Sequence, residues 1–168
     1  MAYEYVQEYI NENYVVLDVC CGLFHPTRFL VCKSLIGVDI WNKDSFVEEA
    51  KKYCDLLMIF DFSKNSWIFP NKSVDVVVCL EGIEHVDKER SIKFLEEFER
   101  IARKKIIITT PSIFNKNEEI FLNPNHWAFE NDYDTHKCLW SVEEFLSRGY
   151  ETKIILNNKI LAVKEMKL

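Results

Sequence analysis

Three acidic residues stand at the ends of short apolar runs: Asp39 in "SLIGVDI", Asp61 after "DLLMIF" and Glu81 after "SVDVVVCL". A carboxylate placed like Asp39 can accept hydrogen bonds from both hydroxyls of a ribose. One placed like Asp61, beside Phe62, can receive an adenine amino group. Glu81 opens "EGIEHV", so Glu84 and His85 follow closely. His126 and His136 stand further on, in the stretch 111–140. The turn "CCGLF" after the first apolar run holds one glycine, Gly22, and Asp39 follows it by 17 positions. An acid about 20 residues beyond a glycine turn also occurs in dinucleotide-binding folds. Asp18 lies inside "VVLDVC", where a buried carboxylate needs partners; pinning the turn and touching a ligand are equally open.

These residues need a frame to bring them together, and the hydrophobic pattern supplies one. The runs at 14–20, 34–40, 55–60, 73–80 and 104–110 have the length and Val/Ile/Leu content of strands buried on both faces. Helical spacing lies between them. In "KDSFVEEAKKYC" Phe46, Val47, Ala50 and Tyr53 form one stripe, with Asp44 or Ser45 as N-cap. In "DKERSIKFLEEFERIARK" Ile92, Leu95, Phe98, Ile101 and Ala102 recur at three- and four-residue steps behind Asp87. Residues 21–34 leave space for only a short first helix, with Pro26 near its start. After "SVEEFLSRGY", a helix capped by Ser141 and stopped by Gly149, the runs "YETKIIL" and "KILAVKE" flank Asn157-Asn158 and predict a hairpin. The expected fold is therefore α/β: a mainly parallel sheet with helices on both faces and a C-terminal antiparallel strand. In such a sheet ligands bind beyond the carboxyl ends of the strands, where the three acids stand.

One domain is expected over 1–168, with 111–140 as a substrate loop or lid, since 30 patternless residues exceed an inert connection. A net charge of −6 argues against a duplex nucleic-acid surface. No run of 18 apolar residues suits a membrane span, and the acidic N-terminus does not read as a secretory signal, so a cytoplasmic location is expected. None of the six cysteines forms a C-x-x-C pair; reduced thiols and no metal are expected. Asp132, Asp134 and His136 lack a fourth partner. Trp127, Phe129, Tyr133 and Trp140 either line a substrate wall or anchor the long loop to the core.

Taken in order, "VVLDVCCGLF", "GVDI", "FDFSKNSWIFPNKSVDVVVCLEGIEHV", "FERIARKKIIITTPS" and "HKCLWSVEEFLSRGYE" resemble the class I S-adenosylmethionine-dependent methyltransferases, in a small single-domain branch. The resemblance covers about residues 14–165. It implies a Rossmann-like sheet of seven strands and S-adenosylmethionine as cofactor. It also implies that Asp18, Cys20 and Gly22 lie at the cofactor's amino-acid end and that Asp39 and Ile40 border its ribose. Asp61 and Phe62 would meet its adenine, Glu81 and Gly82 its methionine portion, and His85 or His136 would serve as base. The acceptor would be a small molecule or a group presented by a protein partner. The family favours glycine where this chain has Cys20 and Phe24. A bulky residue at such a position can block a ligand, which gives an alternative: a catalytically inactive methyltransferase-like binding module or partner subunit. A nicotinamide-dependent oxidoreductase is a third reading, weakened by the poor glycine turn.

Overall fold

The computed structural model describes residues 2–62, 67–116 and 119–167, without the side chains of 2, 3, 120 and 121. The part of the third motif at 63–66 and of the long loop at 117–118 lies outside the described residues. Seven strands form one sheet in the order β3-β2-β1-β4-β5-β7-β6: β1 (Val15–Val19), β2 (Ser34–Asp39), β3 (Leu56–Ile59), β4 (Val74–Leu80), β5 (Ala102–Pro111), β6 (Glu151–Ile155) and β7 (Lys159–Glu165). The first five are parallel, and β7 runs antiparallel to both β5 and β6. Order reverses beside β1, which pairs with β2 on one side and β4 on the other.

Alternation along the strands divides the core in two. Leu17, Val77, Cys79, Ile106 and Ile108 face α3 (Lys88–Ile101) and α5 (Val142–Ser147) through Phe94, Leu95, Phe98 and Phe145. Val16, Val76, Val78 and Ile107 face α1 (Ala2–Gln7) and α2 (Asp44–Ala50) through Val6, Phe46 and Ala50. All seven residues of β4 are buried, and six of them are apolar, Asp75 being the exception.

The caps follow the sequence in most places. Asp87 accepts from the Arg90 N–H, and Ser141 with Glu144 makes a capping box. Gly149 (φ +80°) ends α5, and Asn157 and Asn158 (φ +62° and +55°) turn the hairpin. Elsewhere the expectations need correction. The residue preceding α2 is Lys43, which makes no side-chain cap, and Asp44 already lies in the first turn. No helix forms between β1 and β2. Residues 20–33 instead make successive turns, closed by Phe24 N–H to Cys21 O, Thr27 N–H to Phe24 O and Arg28 N–H to Phe24 O. Cys20, Gly22 and Phe24 hold positive φ at the start of this stretch, and the turns from Phe24 on close without a continuing helical ladder.

Candidate active site at the carboxyl edge of the sheet

The register lines up the ends of the central strands. Asp39 is level with Ile59, Leu80 with Thr109, and Val19 with Val38. Beyond this edge lies a cavity of about 780 Å³, within the usual size of a small-molecule site. Its walls include Cys20, Gly22, Asp39, Ile40, Asp61, Phe62 and Glu81 from the strand ends, together with His85 and His136. The long segment after β5 contributes His126, Trp127, Asn131, Tyr133 and Asp134. It includes α4 (Glu119–Leu122) and a single 3-10 turn at Asp132–Asp134.

Two of the residues singled out in the sequence stand behind this wall. Asp18 is 2% exposed and accepts from Thr27 Oγ1 at 2.5 Å, so it ties the turn segment to β1. Burial pushes its carboxyl up to about 7. Between about pH 4, where an unfolded aspartate ionises, and about 7, the folded chain holds a proton that the unfolded chain has released. The stability that this proton contributes is full below that window and is lost as pH rises through it. Asp18→Asn should therefore gain on wild type by up to ~1.4 kcal/mol per pH unit across the window, and by nothing further above it. Urea denaturation at pH 4.5, 6 and 7.5 reads this directly; a difference independent of pH would refute the assignment.

Gly82 is the second residue behind the wall. A Cβ there would meet Cys20 Cβ at 2.6 Å. Cys20 adopts φ +58° and leans into the space that Gly82 leaves. Phe24 is accommodated in the same way. It holds φ +54°, is fully buried, and its ring would stand 2.1 Å from a Cβ on Gly37. Both positions where the family favours glycine thus keep left-handed backbone, and their side chains fill room left by glycines on β2 and after β4. Phe24 packs in the core and does not line the cavity.

Asp39 is held by the backbone on both oxygens: Gly22 N–H donates to Oδ2 at 2.9 Å and Trp41 N–H to Oδ1 at 3.0 Å. A carboxylate has about four lone-pair sites, so it can accept from a ligand as well. Burial raises its pKa, and these N–H groups oppose the shift. The same bonds use up the turn: Cys21 N–H donates to Val38 O and Phe24 N–H to Cys21 O. Phe62 stacks on Trp67 with ring centroids 3.8 Å apart, a support that apolar periodicity alone does not reveal.

Glu81, at φ +57°, pairs with Lys159 Nζ at 2.7 Å. Lys159 is a site residue that sequence reasoning missed. It begins β7, and only the order β4-β5-β7 carries it across to Glu81. His85 Nε2 lies 3.1 Å from Glu81 O and 3.6 Å from Asp134 Oδ1, and its ring centroid is 5.0 Å from that of His136. Burial, then the neighbouring His136, depresses His85 to about 4, against smaller opposing pulls from the Thr135 and Glu81 carbonyls. Burial also lowers His136. Glu84 is 1% exposed, and burial followed by the Glu81 charge pushes its carboxyl up to about 8. The four aromatics divide between two jobs. Trp140 is buried, stacked on Phe145 and hydrogen-bonded to Ser91. Phe129 packs near Lys43, whereas Trp127 and Tyr133 border the cavity.

A family model described as a methyltransferase domain matches residues 17–108. The chain belongs to the methyltransferase-domain family. No curated protein sequence matches it. Among solved structures, the PH0226 protein of Pyrococcus horikoshii is 18% identical, over 98% of this chain and 87% of that chain, with a TM-score of 0.67. DhpI, solved as an SAH complex, is 16% identical over 99% of this chain and 83% of that chain, with a TM-score of 0.70. The magnesium protoporphyrin IX methyltransferase of Synechocystis, solved with bound SAH, is 13% identical over 98% and 82%, with a TM-score of 0.66. At such identities the likeness is one of fold: this methyltransferase domain shares their Rossmann-like sheet. Among its described residues no helix is long and apolar enough to cross a membrane.

Proposed function

We propose that the chain is an S-adenosylmethionine-dependent methyltransferase acting on a small-molecule or partner-presented acceptor. One observation carries the choice of cofactor. The turn after β1 spends the N–H groups of Cys21, Gly22 and Phe24 on Val38, Asp39 and Cys21, and no helix follows it. A dinucleotide's pyrophosphate needs free N–H groups at a helix N-terminus, and none is formed there. The edge instead presents Asp39, Asp61 and Glu81, an acceptor set suited to ribose hydroxyls, an adenine amino group and a positively charged ligand. The residues present fit S-adenosylmethionine, whose bound form supplies an electrophilic methyl group on a positively charged sulfur.

In this reading Asp39 accepts from the ribose, with Ile40 beside it, and Asp61 and Phe62 take the adenine. Cys20, Gly22 and Glu81 border the remaining length, while Asp18 and Gly82 act from behind the wall, through the turn and through Cys20. Positioning dominates the chemistry, since the leaving group is already good. His85 and His136 are depressed and therefore neutral at pH 7, so they offer lone pairs to an acceptor group rather than charge. The segment 111–140 serves as the lid that selects the acceptor, on the support of Trp127, Tyr133 and His136 in the wall. Six free thiols favour a reducing, cytoplasmic setting.

Calorimetric titration of the whole chain tests the cofactor. S-adenosylmethionine and S-adenosylhomocysteine should bind with micromolar dissociation constants, and NADH should show no heat at millimolar concentration. Tighter binding of NADH, or none of either sulfur ligand, would overturn the reading.

A further inference from the structure

Glu84, His85 and His136 offer ligand atoms that all lie within 4.8 Å of one another, a convergence that their distance in sequence conceals. We infer that these three side chains form a binding site for a divalent first-row transition ion on the acceptor side of the cavity.

Each ligand is prepared for that role. Glu84 is buried; Thr110 Oγ1 donates to its Oε2 at 3.1 Å, and its Oε1 has no hydrogen-bond partner among the described residues. A buried carboxyl oxygen without a donor calls for a proton or a cation. His85 Nε2 faces the Glu81 carbonyl at 3.1 Å, an acceptor only, so Nε2 carries the ring proton and Nδ1 keeps its lone pair. That Nδ1 is buried and makes no hydrogen bond among the described residues. A ring N–H donating to a backbone carbonyl while the other nitrogen stays free is the usual outer-shell arrangement of a metal-bound histidine.

The third ligand arrives through the backbone. Lys137 and Cys138 N–H groups both donate to Glu84 O, at 2.7 and 3.2 Å, so His136 is docked beside the pair although it comes from the long segment. Metal–nitrogen and metal–oxygen bonds of about 2.1 Å place two ligands of one ion ~3.4 Å apart at a tetrahedral angle. Closing from 4.8 Å therefore takes a movement of up to about 1.4 Å, which a turn of the half-buried His136 side chain supplies. One carboxylate and two imidazoles suit Mn²⁺, Fe²⁺, Co²⁺ or Zn²⁺ rather than Ca²⁺, and three protein ligands leave positions open. His85 and His136 line the cavity, so those open positions border the space for the acceptor. With the ion in place the imidazoles would act on an acceptor through the metal and not as bases.

This site does not depend on the identity of the cofactor, so it is tested without one. The probe is Mn²⁺, which has little affinity for the six thiols and whose free form is counted by electron paramagnetic resonance. Wild type should bind one Mn²⁺ per chain at micromolar to submillimolar concentration. Glu84→Gln and His136→Asn should each weaken that binding at least tenfold with the circular dichroism spectrum unchanged. His136→Asn alters a half-buried side chain, so it still tests the site if the buried substitution unfolds the chain. No stoichiometric Mn²⁺ up to millimolar concentration, or equal affinity in wild type and His136→Asn, would overturn the proposal; Glu84 would then be a protonated acid.

Discussion

Gly37→Ala should destabilise the protein by about 3 kcal/mol, the upper end of what overpacking a core costs. For a chain of this size that corresponds to a fall of roughly 6–12 °C in the thermal midpoint. The new methyl would stand 2.1 Å from Phe24 Cζ, 2.7 Å from Cε1 and 3.0 Å from Cys21 Sγ. The Phe24 ring has no retreat, because it is fully buried and its backbone is fixed by three hydrogen bonds within the turn. Moving it would drag Gly22, whose N–H holds Asp39. The damage should therefore reach the cavity as well as the core. Phe24→Leu removes the two clashing ring atoms. The double variant Gly37→Ala/Phe24→Leu should thus be more stable than the sum of its parts by at least 1 kcal/mol. Additive destabilisation in chemical denaturation would show that the ring and the glycine are not coupled.

This pair also marks where the sequence stopped being legible. The family pattern locates Cys20 and Phe24 as departures, and local reasoning casts them as obstacles. What the chain does with them depends on Gly37 and Gly82, whose relation to the turn is set by tertiary packing. Strands β1, β2 and β4 could be read because they are short, largely buried and rich in Val, Ile and Leu, despite Asp18, Gly37 and Asp75 within them. The hairpin could be read because two adjacent asparagines tolerate positive φ. Asp39, Asp61 and Glu81 were recognisable because strand ends are fixed by local pattern, and a parallel sheet gathers them at one edge. The order β4-β5-β7 was not readable, so the Lys159–Glu81 pair stayed hidden. The meeting of Glu84, His85 and His136 was hidden for a similar reason: two backbone bonds from 137 and 138 create it, and no side-chain pattern reports them. The short first helix was read from spacing alone, whereas residues 20–33 form successive turns.

The second large effect concerns Asp39. Its carboxylate is anchored by the Gly22 and Trp41 N–H groups, one on each oxygen. A ligand that donates two hydroxyls to it would lose two charge-assisted hydrogen bonds in Asp39→Ala, each worth about 1.5–3 kcal/mol. The Gly22 N–H would lose its acceptor too, loosening the turn. Together these predict a loss of at least 100-fold in affinity. Asp39→Asn should lose less, since it keeps one acceptor oxygen for Gly22 or Trp41.

The most direct measurement is therefore the dissociation constant of S-adenosylhomocysteine for wild type, Asp39→Asn and Asp39→Ala by calorimetry at pH 7.5, with folding checked by circular dichroism. A nucleoside cofactor at the carboxyl edge of β2 predicts micromolar binding to wild type, an intermediate loss for Asp39→Asn and at least a 100-fold loss for Asp39→Ala. Equal affinity in all three folded proteins would contradict it.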